Sequence, residues 1–237
     1  MDNQFSRTEL VLGERSTTKL AAAHVAVFGV GGVGSYAVEA LARAGIGFLD
    51  LVDSDKFELT NLNRQLYALH STIGKYKVDV AAQRINDINP ACRVNTHKIF
   101  YLSETASQFD FSQYDYIVDA IDTVSGKISL VEAAAQSGTP IISAMGAGNK
   151  VDPSSFIVAD ISQTSVCPLA KVMRKELGRR NIKHLKVVYS KEPPLKSALG
   201  EIPGSTPFTP PVVGMIMAAE VIKDIIGFNK EQDYGKK

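Results

Sequence analysis

The chain has 237 residues, of which 45% are hydrophobic and 22% are charged. This is the composition of a globular protein with a sizeable core, and it excludes a disordered or fibrous chain. A net charge of +1 excludes a chain that is basic or acidic throughout. The two cysteines, Cys92 and Cys167, are too few for a disulfide scaffold or a four-cysteine zinc site.

The N-terminus and the apolar runs bear on where the protein works. The first ten residues include acidic side chains and lack the apolar run of a secretory signal. No uninterrupted apolar run reaches the length of a membrane span. We therefore expect a cytoplasmic protein in a reducing environment, without integral membrane association.

Short apolar runs alternate with helical patterns over the first 160 residues, which predicts βαβ units. The expected fold is α/β: a Rossmann-like, doubly wound, mainly parallel sheet that antiparallel strands extend. One lead-in helix is expected over 7–20. Strands are predicted at 24–29, 48–53, 93–99, 114–121, 140–146 and, antiparallel, 155–161, with helices at 32–44, 76–88 and 125–137.

The last third of the chain has a different character. A helix (166–180) and a strand (184–190) are followed by a Pro/Gly-rich segment without periodicity at 192–211, of a length typical of functional lids or partly ordered loops. A terminal helix at 211–227 is interrupted by charges, so we expect it to pack on the sheet or on a partner subunit.

Charge is concentrated in this C-terminal helix and strand segment. Residues 171–196 hold nine lysines and arginines against two glutamates. Such clustering favours a polyanion, and nucleic acid in particular, over a solvated helix face. The candidate contacts are Lys171, Arg174, Lys175, Arg179, Arg180 and Lys183.

A G-x-G-x-x-G motif, formed by Gly29, Gly31 and Gly34, directly follows the first predicted strand and opens a helix. Glycines there let the backbone approach a phosphate, and the helix N-terminus offers free N–H groups. Asp53 ends the next strand, where a carboxylate accepts hydrogen bonds from ribose hydroxyls. This pattern predicts a nucleotide, but by itself it does not distinguish NAD, FAD, SAM and ATP.

Charged residues beyond Asp53 favour a triphosphate. Arg64 offers a fork of donors to phosphate oxygens, and Lys77 offers a point charge to the α-phosphate. Asp122 ends a later strand at the sheet edge where ligands collect, so it is the candidate ligand for Mg²⁺. Each residue alone fits a surface ion pair better, but the set in this order favours ATP over a hydride-transfer cofactor.

The motifs GVGGVGS, DSDKFELTNLNRQ, GKYK and DAID, in this order, resemble the ThiF-like adenylating domain of the ubiquitin-activating superfamily, which includes the sulfur-carrier adenylyltransferases. The resemblance covers about residues 7–160 and implies that ATP with Mg²⁺ transfers AMP to a carboxylate. It implies catalytic roles for Arg64, Lys77 and Asp122, with Asp122 on the metal. It also implies nucleotide contacts at Gly29, Gly31, Gly32, Gly34, Asp53, Asp55, Asn61, Gln65 and Thr123. Arg7 matches an arginine that reaches the partner protomer's ATP, so the resemblance implies a homodimer.

Two departures narrow the resemblance. The paired C-x-x-C motifs of sulfur-carrier enzymes are missing, and Cys167, the candidate for a thioester, has no accompanying histidine or second cysteine. We interpret both cysteines as small buried residues. The segment AMGAGNKVDP (144–153), followed by CPLAKVMRKEL and the basic residues, resembles the tRNA threonylcarbamoyladenosine dehydratases.

That second resemblance implies a single adenylating domain over 1–237, with a nucleotide-binding core (7–160) and a substrate-binding, dimer-associated segment (161–237). It implies that the threonyl carboxylate of a modified tRNA attacks the α-phosphate of ATP. The carbamoyl group then closes a five-membered ring and expels AMP, which needs no protein thiol because the nucleophile is tethered.

Two other functions remain as alternatives. An adenylyltransferase could activate the C-terminus of a ubiquitin-like sulfur carrier. A non-enzymatic nucleotide sensor or scaffold is the third hypothesis, which the intact set Asn61, Arg64, Lys77 and Asp122 disfavours. The sequence leaves open which tRNAs are used, whether a sulfur-transfer protein is a partner, and whether a monovalent cation binds near 146–152.

Overall fold

A computed structural model of the chain describes residues 3–196 and 203–228. Seven strands of this described part form one sheet. They are β1 (His24–Phe28), β2 (Phe48–Val52), β3 (Arg93–His97), β4 (Tyr116–Asp119), β5 (Ile141–Ala144), β6 (Phe156–Asp160) and β7 (Lys186–Ser190). Their order is β3-β2-β1-β4-β5-β7-β6, with every neighbouring pair parallel except β6 and β7. The predicted doubly wound, mainly parallel sheet with an antiparallel extension is thus confirmed.

Helices connect the strands and cover both faces of the sheet. They are α1 (Ser6–Leu12), α2 (Glu14–Ala22), α3 (Gly34–Ala44), α4 (Lys77–Ile88), α5 (Val124–Ser137), α6 (Pro168–Arg179) and α7 (Thr209–Ile226). Apart from the lead-in helix, the ends of the predicted elements differ from these bounds by two residues at most.

The single lead-in helix predicted over 7–20 is wrong. Two helices, α1 and α2, meet at Gly13, whose φ of 82° and ψ of 153° are not helical. Because this positive φ favours glycine, the chain turns there instead of continuing the helix. Helical periodicity on both sides of the glycine concealed the break.

Alternate residues of the central strands supply two different hydrophobic layers. On β1, Val25 and Val27 pack in the layer under α3, α4 and α7, whereas Ala26 and Phe28 pack in the opposite layer. That opposite layer is aromatic, with Tyr101, Phe109 and Phe111 around Phe28. The central strands are therefore buried on both faces, as expected for a parallel sheet.

The terminal helix α7 packs against α3 and the sheet. Pro210 and Pro211 occupy its first turn, which proline tolerates, so the helix starts at Thr209, two residues earlier than predicted. Its apolar side chains, among them Val213 and Met217, belong to the same buried layer as α3. Of the preceding Pro/Gly-rich segment, residues 197–202 lie outside the described residues, and 203–208 form no regular element.

The described helices include none that is both long enough and apolar enough to cross a membrane.

A buried carboxylate, Asp50 on β2, joins three strands and a loop. Its side chain is 5% exposed and accepts hydrogen bonds from His24 (2.9 Å), His97 (3.0 Å), Asn95 (2.8 Å) and Tyr114 (3.0 Å). Burial alone would raise the pKa of Asp50, but the hydrogen bonds from His97, His24 and Asn95 hold it well below its ordinary value of 3.8.

A depressed pKa means that this carboxylate stabilises the fold when ionised. Its contribution is complete above the ordinary pKa of 3.8 and declines as the pH falls below that value toward the lower folded-state pKa. Asp50→Asn should lower the free energy of unfolding at pH 7 by about 1–3 kcal/mol, because an amide cannot accept from all four donors. Urea unfolding at pH 7, 5 and 3 measures this. The gap between wild type and variant should narrow at the lowest pH.

Asp79→Asn provides the control, because Asp79 forms a half-exposed ion pair with Lys98. Such pairs contribute roughly 0–1 kcal/mol, so this variant should unfold nearly as the wild type does. A gap for Asp50→Asn that stayed constant from pH 7 to 3 would contradict the stated role.

Candidate active site

A cleft of about 530 Å³ lies at the carboxyl ends of β1, β2, β4 and β5. Open α/β sheets bind ligands at this edge. The cleft is lined by residues that follow each of these strands, together with Leu169 on α6 and residues 203–205. A second cavity of similar volume, about 540 Å³, lies at the amino ends of β1, β4 and β5, away from the glycine motif.

The glycine turn between β1 and α3 is packed too tightly for side chains at two positions. A Cβ on Gly29, whose φ is 89°, would lie 2.6 Å from the Ala120 carbonyl oxygen. A Cβ on Gly34 would lie 1.8 Å from the carbonyl oxygen of Gly29. Gly31 and Gly32 line the cleft beside the N-terminus of α3, where backbone N–H groups favour an anion. The turn thus has the geometry of a phosphate cradle.

Asp53 follows β2 and borders the cleft next to this turn. One carboxylate oxygen accepts from the Val30 N–H (2.7 Å) and the other from the Asp55 N–H (2.8 Å). Burial raises the pKa of Asp53. The ammonium of Lys77 at 3.9 Å and the two N–H groups act in the opposite direction and lower this pKa. The carboxylate is thereby fixed beside the glycine turn.

Lys77 is the first residue of α4, and its side chain is only 7% exposed. Its ammonium lies 2.7 Å from a carboxylate oxygen of Asp55, and both residues line the cleft. This local pairing partly neutralises the lysine charge and holds it at the cleft wall. Asp55 therefore contacts Lys77 directly, a relationship that the sequence motif did not indicate.

The loop after β2 brings Arg64 over the glycine turn. Its Cγ lies 3.2 Å from the position of a Cβ on Gly32, so glycine at 32 leaves room for the arginine. One guanidinium nitrogen, Nη1, donates to the carbonyl oxygen of Thr60 (2.9 Å) and to Oδ1 of Asn63 (2.9 Å). Gln65 also lines the cleft, and its buried Oε1 has no hydrogen-bond partner among the described residues.

Three predicted nucleotide contacts do not border the cleft. Asn61 is buried in its own loop, where its Oδ1 accepts from the Glu58 N–H (3.1 Å) and shapes the turn that carries Arg64. Thr123 is the N-cap of α5, and its hydroxyl lies against Gly126. Gly34 is likewise absent from the cleft wall, because it packs on Gly29.

Asp122 is exposed and lines the cleft on the turn after β4. The structure therefore brings together nine of the predicted residues at one cleft: Gly29, Gly31, Gly32, Asp53, Asp55, Arg64, Gln65, Lys77 and Asp122. Among the described residues, groups of three or more His, Cys, Asp or Glu side chains suited to a metal ion are not found. A lone carboxylate suits Mg²⁺, which is commonly held by one or two carboxylates plus phosphate oxygens.

A buried ion pair beneath this turn was not predicted from the sequence. Lys127 on α5 lines the cleft, and its ammonium lies 3.0 Å from Asp119 at the end of β4. Ser143 on β5 donates to the same carboxylate oxygen of Asp119 at 2.5 Å. The acid at the end of the apolar strand YIVD was the available signal, since a buried carboxylate requires a partner.

The wall formed by residues 203–205 and its contacts were also not predicted from the sequence. The Gly204 N–H donates to Oδ1 of Asn149 (2.6 Å), and the Asn149 N–H donates to the Gly204 carbonyl oxygen (2.8 Å). Asn63, next to Arg64, donates to the Ser205 carbonyl oxygen (3.1 Å). These contacts tie the C-terminal segment to both sides of the cleft.

The basic helix α6 starts at the cleft and leads away from it. Arg174 is partly buried and donates to backbone oxygens of Ile161 and Thr164, so it holds a loop. Arg179 and Arg180 pair with Glu176. Within the described part of the chain, the remaining predicted contacts form no ion pair within 4 Å and are exposed: Lys171, Lys175 and Lys183.

Arg7 and the cysteines lie apart from the cleft wall. Arg7 is exposed on α1. Cys167, at the N-cap of α6, is buried among apolar side chains, and Cys92 is buried in the core under α3 and α4. Burial raises the pKa of the Cys92 thiol to about 11. Both cysteines are thus small buried residues, as predicted.

The fold and the cleft define a Rossmann-like nucleotide-binding protein. The sequence profile of the ThiF family matches residues 3–236, and the chain belongs to this family. It is 44% identical over 243 aligned residues to the tRNA threonylcarbamoyladenosine dehydratase of Bacillus subtilis, covering 95% of this chain and 96% of the relative.

Solved structures of a second dehydratase superpose closely on this chain. The E. coli tRNA N6-threonylcarbamoyladenosine dehydratase in complex with AMP superposes with a TM-score of 0.89 at 33% identity and 94% coverage of both chains. Its complex with ATP gives a TM-score of 0.89 at 31% identity, with 99% of this chain and 96% of that chain covered.

A methyl group at Gly31 tests whether the cleft holds phosphate. The nearest protein atom to a Cβ there is Nε2 of Gln65 at 3.8 Å, so Gly31→Ala should fold as the wild type does. The methyl would occupy space at the phosphate cradle and weaken ATP binding by about 1–3 kcal/mol, or roughly fivefold to 150-fold. Isothermal titration calorimetry measures the dissociation constant.

Gly178→Ala on α6 is the matched control, since a Cβ there meets no atom within 4 Å and lies away from the cleft wall. It should bind ATP with wild-type affinity. Unchanged affinity of Gly31→Ala would remove the glycine turn from the nucleotide site.

Proposed function

We propose that this protein uses ATP to dehydrate N6-threonylcarbamoyladenosine at position 37 of tRNA. The observation that carries the proposal is the 44% identity, over nearly the full length of both chains, to the dehydratase of Bacillus subtilis. The cleft supports it, because a phosphate cradle, a ribose-binding carboxylate and two cations share one wall. The AMP and ATP complexes of the E. coli dehydratase support the same nucleotide.

The proposed reaction begins with activation of a carboxylate. The threonyl carboxylate of the tRNA attacks the α-phosphorus of ATP, the bond to pyrophosphate breaks, and an acyl adenylate forms. Arg64 and Lys77 align the phosphates and neutralise charge that develops on them. Asp53 holds the ribose. The chain supplies position and charge, so this step needs no protein nucleophile.

Ring closure completes the proposed reaction. The carbamoyl group of the same nucleoside attacks the acyl carbon, a five-membered ring closes, and AMP leaves with the former carboxylate oxygen. One proton is released, and the nucleoside has lost one water. Because the attacking group is tethered, its effective concentration is high. The burial of Cys92 and Cys167 agrees with a route that uses no thiol.

The exposed carboxylate of Asp122 is the proposed ligand for Mg²⁺. A bound Mg²⁺ would neutralise phosphate charge in the cleft. The other proposed nucleotide contacts are Gln65, whose Oε1 has no hydrogen-bond partner among the described residues, and Asp55, which positions Lys77. Asn61, Gly34 and Thr123 are proposed to act through the shape of their turns.

A homodimer belongs to the proposal, with Arg7 reaching the partner protomer's ATP. Leu10 and Val11, on the same short helix, are 83% and 81% exposed, which favours a covered apolar face. Cytoplasmic location is proposed because tRNA is the substrate. A sulfur-transfer protein as a further partner remains a prediction of the family resemblance.

The proposed division of the single domain assigns the nucleotide to 7–160 and the tRNA to 161–237. Leu169 at the start of α6 lines the cleft, so the basic helix leads from the reaction site along a path that a polyanion can follow. Lys171, Lys175 and Lys183 are the proposed direct phosphate contacts. The three arginines of this segment already have hydrogen-bond or ion-pair partners, so we propose that they contribute mainly to the positive electrostatic potential: Arg174, Arg179 and Arg180.

Activation of a ubiquitin-like sulfur carrier is not favoured. The near full-length relative bears the dehydratase name, and neither cysteine is accessible for a thioester. A nucleotide-binding scaffold without turnover is also disfavoured, because Arg64, Lys77 and Asp122 line the same cleft.

The proposal is tested by incubating tRNA that carries the threonylcarbamoyl group with ATP, Mg²⁺ and the protein. Mass spectrometry of the nucleosides should show an ATP-dependent loss of one water. Arg64→Ala should lower kcat about a hundredfold or more, because the aligning charge is lost. Lys75→Ala is the control, an exposed lysine outside the cleft wall. Absence of the water-loss product with wild-type protein would contradict the function.

The tRNA surface is tested by a triple substitution of Lys171, Lys175 and Lys183 to Gln. Loss of three phosphate contacts should reduce the slope of log K against log salt by about 2–3. Filter binding at several salt concentrations measures this. The control replaces Lys56, Lys75 and Lys98 by Gln on the α4 side and should leave the slope unchanged. Equal slopes for all three proteins would contradict docking on α6.

A further inference from the structure

Lys127 has no assigned part in the chemistry above, yet its surroundings are unusual for a lysine. Its side chain is 1% exposed, and lysines are rarely so buried unless paired. The ammonium lies 3.0 Å from Oδ2 of Asp119, 3.2 Å from Oγ of Ser143 and 3.5 Å from the Asp119 carbonyl oxygen. Each of its three donors therefore has an acceptor.

The cluster of Asp119, Lys127 and Ser143 holds the turn after β4. Oδ1 of Asp119 accepts from the Ile121 N–H at 3.1 Å, while Oδ2 faces the lysine and the serine. Both ends of the carboxylate are thus engaged. The lysine also bonds the Asp119 carbonyl oxygen, so backbone and side chain of this residue are fixed from one side.

The turn after β4 connects the two parts of the proposed ATP site, which are the glycine turn and the carboxylate of Asp122. On one side, the Ala120 carbonyl oxygen is 2.6 Å from where a Cβ on Gly29 would lie, so the turn is in direct contact with the glycine turn. On the other side, Asp122 lies two residues after Ala120 and is exposed in the cleft. A shift of residues 120–122 would move this carboxylate relative to the phosphate cradle.

Stability alone does not account for the pair. The cost of removing two charges from water offsets much of their attraction, so a buried ion pair contributes little net stability compared with neutral groups of similar size. What it does supply is a fixed geometry, because each donor of the ammonium has a defined acceptor. The pair is also neutral overall, so it fixes Asp122 without adding charge near the phosphates.

We propose that Lys127 is a positioning residue for the adenylation step: with Asp119 and Ser143, it holds residues 120–122 so that Asp122 faces phosphates bound at the glycine turn. This inference rests on the proposed function, since it requires ATP in this cleft.

The test removes both charges together, because Lys127→Met alone would leave Asp119 buried and unpaired. The double variant Asp119→Asn/Lys127→Met should unfold cooperatively and bind ATP within about threefold of wild type, while kcat falls about tenfold to a hundredfold, as loss of alignment predicts. Calorimetry measures the dissociation constant of ATP, and the rate of tRNA dehydration measures kcat. Arg84→Met is the control: it removes an ion pair to the buried Glu39, away from the cleft wall, and should leave kcat unchanged.

Ser143→Ala is the second variant. It leaves the ion pair intact and should lower kcat by about threefold to tenfold without changing the ATP dissociation constant. Wild-type kcat in either variant would overturn the proposal, as would a loss of ATP affinity as large as the loss of kcat.

Crystal structures separate failure of this proposal from failure of the proposed function, because they need no tRNA. Residues 120–122 of the double variant should be displaced relative to Gly29, and an unmoved turn would overturn the positioning role even if the wild-type protein proved inactive on tRNA.

Discussion

The site depends on one steric constraint: the glycine turn after β1 must lie in contact with the turn after β4. A side chain at Gly29 would collide with the Ala120 carbonyl oxygen, and one at Gly34 would collide with Gly29 itself. Because β1 and β4 are neighbouring parallel strands, their carboxyl ends deliver both turns to one edge of the sheet. Phosphate cradle and exposed carboxylate are therefore held at a fixed separation by backbone contact.

Charge in the cleft is arranged around this constraint. Lys77 is paired with Asp55, Lys127 with Asp119, and Asp53 receives two backbone N–H groups. Each buried charge thus has a partner, which limits the cost of burial. Arg64 is only partly buried, and its long stem lies over Gly32. This arrangement provides aligned charge, which is what adenylation of a carboxylate requires.

The sequence predicted most of the helices and strands and nine of the residues that line the cleft. Alternating apolar runs predicted the parallel sheet, and a glycine motif between strand and helix predicted the cradle, because both patterns are local. Gly13 broke a helix that periodicity alone predicted as continuous. Asn61 and Thr123 matched a motif but line no cleft, since a motif does not distinguish a residue that shapes a turn from one that faces a ligand.

What the sequence did not predict depends on contacts between distant segments. Lys127 resembles any lysine on a helix until Asp119 and Ser143 from two strands surround it. The wall at 203–205 requires Asn149, more than fifty residues away, to bind Gly204. Likewise, Arg174 was grouped with exposed lysines, although backbone oxygens of Ile161 and Thr164 engage it. Such pairings have no signature within a short window of sequence.

The central claim is that ATP binds in this cleft with its α-phosphorus beside Arg64, Lys77 and Asp122. A crystal structure of the protein with a non-hydrolysable ATP analogue and Mg²⁺ tests it most directly. The account predicts α-phosphate oxygens at about 2.7–3.2 Å from donors of Arg64 or Lys77, and Asp122 turned toward the phosphates. Phosphates seated elsewhere, with these three side chains beyond hydrogen-bonding reach, would contradict it.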